Sequence, residues 1–104
     1  MSAFNNVTVT REANVYFDGN VTSRVVTFED GTTKTLGIMM PGEYTFGTEK
    51  AELMEILAGE LTYCTAGTDI WLSVKGGESF NVPANSSFDL RVRTLADYCC
   101  SYLD

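Results

Sequence analysis

Apolar and polar residues alternate along this chain with the two-residue period of β-strands, in short runs separated by turn dipeptides. Residues 7–10 (VTVT) form the first run, and residues 14–19 (NVYFDG) read as a strand entering an Asp-Gly turn. Residues 21–29 and 34–40 close into a hairpin across Asp30-Gly31. Gly37, inside the second of these, predicts a bulge or a close backbone approach. After Pro41-Gly42 come a strand at 43–47, a turn at 48–51 and a strand at 52–57. That last strand sets Glu52, Met54 and Ile56 on one face and Leu53, Glu55 and Leu57 on the other. A helix competes over residues 49–59, because Ala, Glu, Leu and Met are good helix formers. The run is short for a helix and its neighbours read as strands, so strand is preferred. Residues 61–65 and 70–74 form a hairpin, and 78–82, 87–94 and 97–103 complete the series. About ten short strands, with turn signals at intervals of roughly 8–12 residues, predict a sandwich or a barrel.

Composition narrows this picture. A chain of 104 residues, 44% hydrophobic and 20% charged, is one domain with a real core. No apolar run is long enough to span a membrane. The start, MSAFNNVTVTRE, lacks the features of a secretory signal, so a cytoplasmic location is expected. The net charge of −7 argues against nucleic acid as a partner and gives phosphate little steering, so any anion site has to be built locally. The chain has no histidine, which excludes Ser–His–Asp and Cys–His nucleophile arrangements. Cys64, Cys99 and Cys100 read as reduced, partly buried thiols, the last two on opposite faces of one strand.

Two stretches, residues 42–59 (GEYTFGTEKAELMEILAG) and 77–88 (GESFNVPANSSF), resemble the paired motifs of a cupin barrel. In a metal-binding cupin, the Glu seven residues before the second glycine of the first motif is preceded by two histidines, and the second motif supplies a third. Here Glu52 stands seven residues before Gly59, but the histidine positions hold Phe46, Thr48 and Phe88. A lone carboxylate does not hold Zn, Fe or Mn against water. The expectation is an all-β, single-domain cupin jelly-roll barrel without metal over residues 14–104, with 1–13 as an N-terminal extension or extra edge strand.

The strings YFDGNV (16–21), LGIMMPGEYTF (36–46), LAGEL (57–61) and SFNVPANSSFDLRV (79–92), with residues 98–103, are similar to the small bacterial pyrimidine/purine nucleoside phosphorylase family. Ser101 departs from it, standing where that family leads one to expect arginine. The resemblance implies a homodimer that needs no cofactor and uses inorganic phosphate as co-substrate. Phosphate would attack C1′ of purine and pyrimidine nucleosides, releasing free base and pentose 1-phosphate. Such an enzyme has to fix phosphate beneath C1′, hold the sugar and stabilise charge on the leaving base.

The candidates follow from those needs. Phe46, Phe80 and Phe88 would form an aromatic wall for the base or else plain core, and Tyr16 and Tyr44 add rings with hydroxyls. Glu52 and Glu43 are the catalytic candidates, each able to bind sugar hydroxyls or to be merely solvated. If Phe88 points inward, Arg91 and Arg93 point outward and reach substrate only at a rim or dimer interface. Thr48, Asn81 and backbone amides near Gly37 or Gly42 are neutral alternatives for the anion. Two other classes compete: a non-catalytic cupin holding a sugar or nucleotide, and a partner-binding module using residues 7–10.

Overall fold

Two long strands carry the molecule in the computed structural model, which describes residues 2–103. Nine strands follow in order: β1 Thr8–Val9, β2 Asn14–Tyr16, β3 Val21–Thr27, β4 Thr33–Met39, β5 Gly42–Gly47, β6 Ala51–Thr65, β7 Leu72–Lys75, β8 Glu78–Val82 and β9 Ser87–Leu103. β6 and β9 lie antiparallel along most of their lengths, with Met54 opposite Cys100 and Tyr63 opposite Leu90. The other edge of β6 is divided. Its first half pairs with β8 and its second half with β7. β9 is divided in the same way, between β5 and β4.

The division falls at a bend. The β6–β9 register shifts three times between Ile56 and Leu61. Gly59 sits there with φ +97°, and a Cβ on it would run into the Leu95 carbonyl. The glycine supplies a backbone conformation that side chains rarely adopt, and it lets β9 approach closely. Residues 52–57 and 61–65, expected as separate strands, are therefore one bent strand, and so are 87–94 and 97–103. A bulge turns the ladder without ending it, which the sequence pattern alone reads as a break.

All nine strands belong to one antiparallel sheet, with β2 and β1 both on β3. The all-β expectation stands, but the barrel is not closed. The ladder runs β1-β3-β4-β9-β6-β7 with free ends, since among the described residues β1 pairs with β3 alone and β7 with β6 alone. The N-terminal residues pack on the β3–β4 hairpin, with the Phe4 and Phe28 rings 5.1 Å apart. Met1 and Asp104, the outer ends of the two expected segments, lie outside the described residues.

The concave face holds the core. Val21, Met39, Ile56, Leu61, Val82 and Leu90 are almost fully excluded from solvent. Each such side chain contributes about 1.5–3 kcal/mol of transfer free energy. Gly37 makes the expected close approach, since a Cβ there would meet the Tyr98 ring at 2.7 Å.

Candidate functional site

One end of this concave face is unfilled. A cavity of about 810 Å³ opens there, within the range of small-molecule sites. Its lining falls into two chemically distinct clusters.

The first cluster is aromatic. The Phe46 and Phe88 rings lie nearly parallel with centroids 5.8 Å apart, because their strands bring them into direct register. Tyr16 and Phe17 meet Phe46 edge-on at 5.9 and 5.4 Å. Phe17 and Asp18 hold left-handed backbone conformations, φ 52° and 56°, in a 3-10 turn over Phe17–Gly19. Non-glycine residues adopt that region at a cost that the surrounding contacts have to over-determine. Here it swings Phe17 from the line of β2 into the cavity lining.

The second cluster is polar and comes from strand alternation. Glu52 and Met54 share one face at the start of β6, Lys50 lies in the turn just before it, and Tyr98, Cys100 and Tyr102 share one face of β9. The Cys100 thiol donates to Glu52 Oε1 at 3.3 Å. The hydroxyls of Thr35 and Tyr102 lie 3.4 Å apart. Burial raises the carboxyl of Glu52 above its ordinary range, and the bond from Cys100 opposes that in part. Burial, together with the nearby Glu52 charge, pushes the Cys100 thiol far above its usual range, so it stays protonated. Burial likewise pushes the Tyr102 phenol up to about 12.

The structure therefore brings together Tyr16, Phe46, Phe88 and Glu52 of the expected residues. Phe80 lies behind the cavity, stacked on Tyr63 with centroids 3.8 Å apart. Tyr44 is buried, and its hydroxyl donates to the Met40 carbonyl at 2.6 Å. Thr48 is spent on the rim: its hydroxyl donates to the Pro83 carbonyl and accepts from the Ser86 N–H. It thereby pins the turn that carries Glu49 and Lys50. Asn81 is exposed and sits opposite Leu53, on the outer face by alternation with buried Phe80 and Val82. Glu43 and Arg91 face each other across β5 and β9 on the outer surface, 3.3 Å apart. The Arg91 guanidinium stacks 3.9 Å over Trp71. Ser101 also points away from the cavity, since it alternates with Cys100 and Tyr102. Arg91→Ala is expected to cost less than about 1 kcal/mol, as exposed ion pairs and cation–π contacts do, read from the urea midpoint.

Sequence reasoning missed Phe17, Lys50, Tyr98, Cys100 and Tyr102. The alternation in DYCCSYL set three of them on one face, but only the pairing of β9 between β4 and β6 turns that face inward. Among the described residues, no group of three or more His, Cys, Asp or Glu side chains converges as a metal-ligand set.

Comparison with known proteins agrees with this architecture. A protein from Geobacter sulfurreducens named pyrimidine/purine nucleoside phosphorylase is 66% identical over 103 residues, covering 99% of each chain. The crystal structure of an Acinetobacter protein of unknown function superposes with a TM-score of 0.94 at 41% identity, covering 97% of this chain and 98% of that one. An RmlC-like cupin from Shewanella frigidimarina superposes with a TM-score of 0.70 at 16% identity, over 88% of this chain and 81% of its own, a likeness of fold. The family model described as pyrimidine/purine nucleoside phosphorylase matches residues 11–102, nearly all of the bent sheet and every residue of the cavity lining. On that match and the full-length relative, the chain belongs to the pyrimidine/purine nucleoside phosphorylase family.

Proposed function

We propose that the cavity takes a nucleoside and inorganic phosphate together and cleaves the glycosidic bond by phosphorolysis. The observation that carries this reading is a half-buried carboxylate, Glu52, beside an aromatic cluster in a cavity of nucleoside size. The base stacks on Phe46, Phe88, Tyr16 and Phe17. Stacking is tolerant of base identity, whereas hydrogen-bond readout would discriminate sharply, so purines and pyrimidines are both accepted. Glu52 accepts hydrogen bonds from the sugar hydroxyls, and its charge stabilises the oxocarbenium character that grows at C1′. Lys50 is the one basic side chain among the described lining residues, and it lies two residues before Glu52, in the turn that leads into β6. It is the local countercharge for phosphate in a chain of net charge −7.

A phosphate oxygen forms the bond to C1′ as the bond from C1′ to the base nitrogen breaks. The electron pair leaves with the base, and the proton carried by hydrogenphosphate ends on it. The products are free base and pentose 1-phosphate, and the step consumes no cofactor. The same reading makes the protein a metal-independent cytoplasmic homodimer.

The test is release of free base from uridine, adenosine, guanosine and thymidine, with and without phosphate, after EDTA treatment. Phosphate-dependent release from both base classes that survives EDTA is the expected result. Loss after EDTA would require a metal. No release from any nucleoside would leave a binding protein rather than an enzyme.

A further inference from the structure

We propose that Cys100 is a positioning residue for Glu52, its thiol holding the carboxylate aimed into the cavity. The inference rests on the phosphorolysis reading for its functional meaning and on geometry for its content. Met54 is the cross-strand partner of Cys100, so Glu52, two residues earlier on the same face, is its diagonal neighbour. The thiol lies 3.3 Å from Glu52 Oε1, within range for a sulfur donor. Both residues line the cavity, and Cys100 is only 4% exposed.

Other roles fit this cysteine less well. A nucleophile needs thiolate, and burial beside a carboxylate disfavours that form. Disulfide formation with its neighbour is blocked by strand geometry: Cys99 faces the opposite side of the sheet, toward Leu36 and Glu55. A small apolar filler would pack as well without a donor. The donor matters because Glu52 is half-buried, where a carboxylate oxygen without a partner is costly.

The groups around Glu52 are few enough to isolate the thiol. β9 presents Tyr98, Cys100 and Tyr102, and the rim turn presents Glu49 and Lys50. β3 and β4 present the hydroxyls of Ser23, Thr33 and Thr35 and the apolar Met39, β5 presents Thr45 and Phe46, and β2 presents Tyr16. The two phenols of β9 are pushed upward and stay neutral across the working range.

The experiment uses the full chain as wild type, Cys100→Ala and Cys100→Ser. Two readouts are taken: the Glu52 carboxyl titration by carbon NMR, and kcat and KM for uridine at saturating phosphate. Without the thiol donor, Cys100→Ala should move the Glu52 titration upward by about half a pH unit, because a bond to the charged form is lost. It should lower kcat about tenfold while changing KM less than about threefold, as expected for misplacement of a catalytic group. Cys100→Ser keeps a donor and should hold the titration at or below the wild-type value and recover most of kcat. An unmoved titration and an unchanged kcat in Cys100→Ala would overturn the proposal and leave Cys100 as packing. Should Cys100→Ala not fold, Cys100→Ser decides: its shorter, stronger donor must leave the titration at or below the wild-type value, and an upward shift overturns the proposal. The NMR arm needs no turnover, so failure of the phosphorolysis reading shows separately, as a wild type that releases no base.

Discussion

Replacing Glu52 by Gln is expected to lower kcat/KM for nucleoside cleavage about 10²–10³-fold, the usual loss when one preorganised electrostatic group is removed. The amide keeps the shape of the side chain and an acceptor for the Cys100 thiol. It removes only the charge opposite the developing oxocarbenium. Glu52→Asp retains the charge and withdraws it by one methylene, so it should fall between the two. Glu52→Gln should also stabilise the fold near neutral pH. Burial raises the Glu52 carboxyl above its ordinary value of 4.5, so the folded chain binds this proton more tightly than the unfolded chain does. Its contribution to stability is therefore full below pH 4.5, falls as pH rises through the folded-state value, and is then constant. Glutamine is neutral throughout. Glu52→Gln should melt higher than wild type at pH 7, and the difference should vanish below about pH 4. Thermal melts at the two pH values, beside single-substrate kinetics, check both halves. A variant that is inactive and no more stable at pH 7 would contradict the cost of burying this charge.

Much of this site was legible in the sequence because it depends on local alternation. The expected faces of residues 52–57 match the buried Met54 and Ile56, with Glu52 beside them at the cavity. Motif spacing placed Phe46 and Phe88 at the cavity, at positions where a metal-binding cupin carries histidines. Phe80 was left open between cavity wall and core, and its stacking partner Tyr63, which arrives from the far half of β6, puts that ring in the core. The polar cluster was illegible for a different reason. Tyr98, Cys100 and Tyr102 lie on one face by local rule, yet which way that face turns depends on pairing with β4 and β6, up to 67 residues away in the Thr35–Tyr102 contact. Phe17 was lost to backbone strain, since no propensity places a phenylalanine at positive φ. Glu43 and Arg91 were drawn in by motif membership and lie on the outer surface, where alternation from buried Tyr44 and Leu90 puts them.

Substituting Gly59 by Ala should destabilise the protein by about 2–5 kcal/mol, a large share of the stability of a domain this size. Two costs combine. At φ +97° an L side chain is strained by about 1–2 kcal/mol. The new methyl would also collide with the Leu95 carbonyl and stand 2.8 Å from Ala96 Cα. Those atoms belong to the β9 backbone and have no rotamer into which to retreat, so overpacking adds about 1–3 kcal/mol. Gly77→Ala separates the two costs. Gly77 has nearly the same φ, +92°, but nothing lies within 4 Å of the added methyl. It should cost only the strain, and the difference between the two urea midpoints measures the close approach at the bend. Function should follow stability at Gly59 alone. The bend lies between the half of β6 that carries Glu52 and the half that pairs with Phe88 of β9. It therefore sets the spacing between the carboxylate and the aromatic cluster. At a temperature where both variants are folded, Gly59→Ala should lower kcat about tenfold or more, since displacements near 1 Å have such effects, while Gly77→Ala should keep it. Equal losses of stability in the two variants would mean that β9 yields to the methyl, and that the bend is not what holds the two halves of the site in place.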